Sequence, residues 1–181
     1  MMMKIPNLKI NSQHTVVLAV LLVLVSLSRF LPHPPNFSPV IAISVLSVAC
    51  FKQRWLQFGF PLLIMVLTDA VLGFHRLIPV VYGSLILAGL SGVILKKRPT
   101  WLNALGVSLL SSCIFFIVTN AGVWWMSDMY SASVSGLLAC YVAAIPFLHN
   151  SLLATMGLVM GVYVLVRVSA VYNQRLEAQK I

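Results

Sequence analysis

Only three carboxylates, Asp69, Asp128 and Glu177, occur in a chain of 181 residues. Proton-transfer chemistry needs a positioned carboxylate, histidine or similar group, so acid–base machinery is scarce here. No H-E-x-x-H zinc motif is present. The nearest approach to an intramembrane serine nucleophile, Ser133-Val134-Ser135-Gly136, has serine where G-x-S-G needs its first glycine. There is no glycine-rich nucleotide loop, so any coupling to ATP would come from a partner. The expectation is a protein that is not an enzyme, and no cofactor can be named from the chain.

The residues that could recognise a ligand sit at the ends of apolar runs. They are Arg29, His33, Asn36, Asp69, His75, Arg76 and Asn120, with Trp124, Trp125, Asp128, Tyr130, His149 and Asn150. A carboxylate at a membrane boundary needs a partner, which singles out Asp69. Arg76, seven residues on, shares its helical face if the helix continues through Gly73, so an Asp69–Arg76 pair is one expectation and a ligand-facing role the other. His33, His75 and His149 belong to three loops, and imidazole is the commonest metal ligand, which makes them the metal candidates. The tryptophans and Tyr130 also suit an interfacial belt, and Arg29 and Arg76 suit snorkelling.

These positions must be held by apolar elements. Hydrophobic residues make up 60% of the chain and charged ones 8%, far from the roughly even and quarter shares of soluble domains. The net charge of +9 builds no continuous basic face, so no nucleic acid is expected as a partner. The three cysteines, Cys50, Cys113 and Cys140, lie in apolar stretches without metal-ligand spacing and read as small apolar residues. The apolar runs fall at about 15–30, 37–51, 55–72, 77–95, 101–119 and 151–170, with a further one at 132–147. The first could be a signal peptide, but the chain returns directly to the membrane after it. The second is short for a hydrocarbon core of about 30 Å, so the Pro-rich loop 31–36 before it should dip inward under cover of protein. Six spans place Lys4, Lys9, Lys52, Arg54, Lys96, Lys97, Arg98, Arg167, Arg175 and Lys180 inside, with only Arg29 and Arg76 outside. Seven spans would weaken that asymmetry, so 132–147 is expected as a half-embedded outer helix.

The predicted architecture is therefore an all-α membrane protein of six transmembrane helices, with both ends cytoplasmic. Residues 1–14 form an inner tail, 15–171 one helical domain and 172–181 a second tail. The expected location is a bacterial inner membrane.

The run Arg29-Phe30-Leu31-Pro32-His33-Pro34-Pro35-Asn36-Phe37-Ser38-Pro39-Val40 resembles that of a family of uncharacterised bacterial membrane proteins grouped as transport proteins. The likeness continues at Asp69 to His75, at Phe115-Phe116 to Thr119-Asn120 with Trp124, and at Gly136 to Tyr141 through Pro146-Phe147 and Asn150. It spans roughly residues 20–165 and adds Tyr141 to the ligand-binding candidates. That family is in turn similar to the S-components of energy-coupling-factor (ECF) transporters, six-helix proteins that capture a vitamin or metal ion from outside. The resemblance implies an S-component-like bundle and a small-molecule or metal-ion substrate, with cobalamin among the vitamins. Cobalamin would here have to use His75 or His33 on cobalt. The Ala-x-x-x-Ala pattern through which S-components dock on an energising module is missing, since Ala19 is flanked at four residues by Thr15 and Val23. The competing expectation is a structural or assembly subunit of rod-shape-determining type, with no ligand pocket.

Overall fold

Long apolar segments become helices because only a helix satisfies its own backbone where water is absent. The computed structural model describes residues 12–179, with no strand among them. Lys4, Lys9 and Lys180, and with them most of the expected N-terminal tail, lie outside the described residues. The elements are α1 (Ser12–Ser26), a 3₁₀ turn (Leu27–Phe30), α2 (Val40–Cys50), α3 (Arg54–Leu72), α4 (Ile78–Leu90), α5 (Gly92–Lys97), α6 (Trp101–Met126) and α7 (Val134–Ala178). Among the described residues four stretches are long and apolar enough to cross a membrane: Arg54–Leu72, Ile78–Lys97, Trp101–Met126 and Val134–Tyr172. Two shorter apolar helical stretches, Leu18–Phe30 and Val40–Cys50, accompany them.

α2 explains how an 11-residue helix, only about 16 Å long, fits among longer ones. Residues Val40 to Val48 are all buried, because neighbouring helices rather than lipid surround them. Its C-terminal part packs with Leu22, Ile64, Leu95, Val107 and Val159. Its N-terminal end, Val40 and Ile41, packs with Met65, Leu85 and Ala88. The approach of α5 is close enough that a Cβ on Gly92 would collide with the Val45 carbonyl, so glycine is required there. Some buried hydroxyls are satisfied within their own helices, as with Ser44 on the Val40 carbonyl (3.1 Å) and Ser108 on that of Ala104 (2.8 Å), whereas those of Ser47, Ser112 and Thr155 find no partner among the described residues. Small polar residues of the first kind let helices pack tightly without stranding a polar atom.

Alternate helix ends gather at two poles. Lys96 donates to the Phe51 carbonyl (2.8 Å) and joins the α2–α3 and α5–α6 connections at one pole. There Lys52, Arg54, Lys97 and Arg98 are exposed. The loop 31–39 and the α3–α4 and α6–α7 connections lie at the other pole.

Two expectations are corrected. α6 does not end near Thr119 but runs seven residues further, to Met126. The segment 132–147 is no separate half-embedded helix: it is the first part of α7, which passes through Pro146 without a break. Proline removes one backbone bond, and a helix in an apolar setting tolerates that better than it would tolerate unwinding.

Candidate functional site

Arg29 closes the 3₁₀ turn after α1 and points at α3. Its guanidinium lies 2.7 Å from Asp69 Oδ1, and it also donates to Thr68 Oγ1. Tyr82 of α4 donates to Asp69 Oδ2 at 2.9 Å. Both carboxylate oxygens are thus engaged, and Asp69 is only 2% exposed. The group clamps α1, α3 and α4 together, which is a structural task. The expected Asp69–Arg76 pair does not form. α3 stops at Gly73, whose φ of 105° ends the helix, so the shared face that pairing needed is absent. His75 and Arg76 lie exposed in the turn.

The loop 31–39 is fastened to α7. Asn150 donates to the Pro35 carbonyl (2.9 Å) and Ser151 to the Asn36 carbonyl (3.1 Å). Asn36 sits at φ 59°, a left-handed conformation that asparagine tolerates better than most residues. His33 turns back on its own loop, Nδ1 lying 2.6 Å from the Leu31 carbonyl oxygen. His33, His75 and His149 are all exposed. Among the described residues no group of three His, Cys, Asp or Glu side chains could hold a metal ion. The three candidate histidines do not form such a group.

Asn36 and Asn120 do converge. They line a cavity of about 290 Å³ between the loop, α4, α6 and α7. α6 contributes Phe115, Thr119, Asn120 and Val123, and α7 contributes Cys140, Ala143, Ala144 and Phe147. Leu77 and Val81 close the α4 side, and Met129 with Tyr130 comes from the α6–α7 connection. Asn120 gives one amide hydrogen to the Phe116 carbonyl (2.8 Å), and its main-chain oxygen faces the Cys140 thiol at 3.5 Å. Its second N–H and its side-chain oxygen remain for a guest. A mostly apolar hollow with a few converging polar groups is the usual form of a small-molecule site.

Trp124 and Tyr141 belong to a neighbouring, shallower hollow of about 400 Å³ lined mainly by apolar residues. Their polar atoms are engaged within the protein: Trp124 Nε1 donates to the Ser131 carbonyl (2.9 Å) and the Tyr141 hydroxyl to that of Ile117 (2.8 Å). They hold α6 to α7. Of the fourteen ligand candidates, then, three line the cavity, Asn36, Asn120 and Tyr130; Arg29 and Asp69 form the clamp, and Asn150 secures the loop. Sequence reasoning passed over Thr119 and Phe115 as ligand contacts, although both lie in the conspicuous run around Asn120. It also took Cys140 for a plain apolar residue and missed Tyr82, a phenol one span away from the buried Asp69 carboxylate.

Fold and cavity together define an all-helical protein whose long apolar helices suit it to a membrane. Residues 9–177 match a family of unknown function, DUF6580, and the chain belongs to that family. No curated protein and no solved structure matches the chain.

Proposed function

We propose that this chain is a bacterial cell-membrane protein that captures a small, water-soluble organic micronutrient at its outer face as part of transport. In this reading the chain crosses the membrane six times, with both termini cytoplasmic. The observation that carries the proposal is the cavity where Asn36 of the Pro-rich loop meets Asn120 of α6. It lies at the pole opposite the exposed Lys52, Arg54, Lys97 and Arg98, and such basic clusters stay cytoplasmic. The loop that borders it is hydrogen-bonded to α7 rather than left free, as a preformed site requires.

The scattered histidines and the modest volume narrow the cargo. A metal ion is not part of the proposal, and cobalamin, with its corrin ring and nucleotide tail, far exceeds about 290 Å³. Docking on an ECF-type energising module is not proposed either, given Thr15 and Val23 where the alanine pattern needs its second member. A structural subunit of rod-shape-determining type would have no use for the cavity. Mass spectrometry of small molecules released from the purified native protein tests the proposal. A compound enriched with the native chain and lost from Ala143→Phe, which fills the cavity, is the expected result. Equal recovery from both proteins would remove the cavity from the account.

A further inference from the structure

We infer that the guest of the outer cavity is an uncharged, flat molecule carrying an amide or hydroxyl edge; this rests on the proposed outer-face capture. None of the thirteen lining residues is Lys, Arg, His, Asp or Glu. The charged side chains that flank the lining in sequence or clamp the helices beside it are not part of it. Arg29 and Asp69 neutralise each other in the clamp, while Arg76 and Asp128 are exposed outside the lining. An ion leaving water for such a hollow would lose its hydration and find no opposite charge, which strongly disfavours it.

What the walls do offer is matched to a neutral guest. Asn36, Asn120 and Tyr130 bring amide and hydroxyl groups able to donate or accept, and Thr119, whose hydrogen goes to the Phe115 carbonyl (2.7 Å), offers an acceptor. Phe115 and Phe147 line the same space, and aromatic rings suit stacking on a planar body. The volume of about 290 Å³ lies at the lower edge of the roughly 300–1,000 Å³ of small-molecule sites, so the guest is of single-ring or fused-ring size.

Three near-isosteric probes separate the charge classes: benzamide (neutral), benzoate (anionic) and benzamidine (cationic). Thermal unfolding of the full chain in detergent is followed with each probe at millimolar concentration. Benzamide is expected to raise the unfolding midpoint while the other two leave it unchanged. Asn120→Leu should weaken benzamide binding about three- to tenfold, the range of one lost hydrogen bond, and Ala143→Phe should abolish it. The midpoint of each variant without probe shows whether it is folded. A larger shift with benzoate or benzamidine would overturn the charge assignment and leave the outer site standing. A benzamide shift unaffected by both variants would place binding elsewhere and overturn the inference. No shift with any probe would overturn the cavity as a binding site and the proposed function with it.

Discussion

Asp69 gains its partners from two directions, Arg29 from forty residues earlier and Tyr82 from the next helix. Removing one member of a buried pair leaves the other uncompensated, typically at a cost of about 3–5 kcal/mol. Asp69→Asn should therefore lower stability by about that amount, somewhat less because Arg29 keeps 15% of its side-chain surface exposed. The double variant Arg29→Gln/Asp69→Asn should lose less than the sum of the singles, and Arg76→Gln should change almost nothing. Thermal unfolding of these variants and of Asp69→Asn/Arg76→Gln checks this; a rescue of Asp69→Asn by Arg76→Gln would contradict the assignment. The need of Asp69 for a partner was legible, because a carboxylate in an apolar run is costly alone. Which residue answers it was not, since helical spacing ranks only neighbours on one helix and says nothing of a loop folding back. Asn36 and Asn120 could be picked out as polar residues at span ends, whereas their meeting depends on how four elements pack.

The helices themselves were largely legible, because apolar runs of span length have few alternatives to helix. The misreadings fall where polar residues or proline interrupt a run. Thr119 and Asn120 looked like a helix end, yet both give a hydrogen bond to the carbonyl four residues back, at 2.7 and 2.8 Å, and the helix continues. Pro146 similarly looked like a boundary. As a result α7 presents apolar surface from Val134 to Tyr172, about 58 Å, which is nearly twice a hydrocarbon core of about 30 Å. The Arg167 guanidinium lies 5.8 Å from the Tyr163 ring centroid, a pairing that on the proposed topology marks the inner interface. A tilt of about 40°, the upper end for spans, lengthens the crossing to about 39 Å or roughly 26 residues. Counted back from Tyr163, the outer edge then falls near Leu138. The exposed apolar residues Val142 and Ile145 would be covered by lipid, and Ser131 would not. Cysteines placed at Val142 and Ile145, in a chain with Cys50, Cys113 and Cys140 replaced by alanine, should resist a membrane-impermeant maleimide. Ser131→Cys should react. Rapid labelling at Val142 would mean that α7 projects from the bilayer well before Leu138.

For the whole molecule, the two poles divide the work. One collects lysine and arginine with little else, and the other holds the clamp, the fastened loop and the cavity. This division was readable from charge alone, since basic residues cluster in alternate connections. The existence of a cavity was not, because a hollow is a property of packing rather than of any residue type. The central claim is that this cavity opens to the outside and takes up a small solute. Val123 lines it from α6, and Lys97 marks the opposite pole. In right-side-out vesicles, with the native cysteines replaced, an impermeant maleimide should label Val123→Cys and not Lys97→Cys. The dialysable fraction of yeast extract, added outside, should slow labelling at Val123. Labelling of Lys97→Cys from outside, or of Val123→Cys only after the vesicles are inverted, would contradict the account.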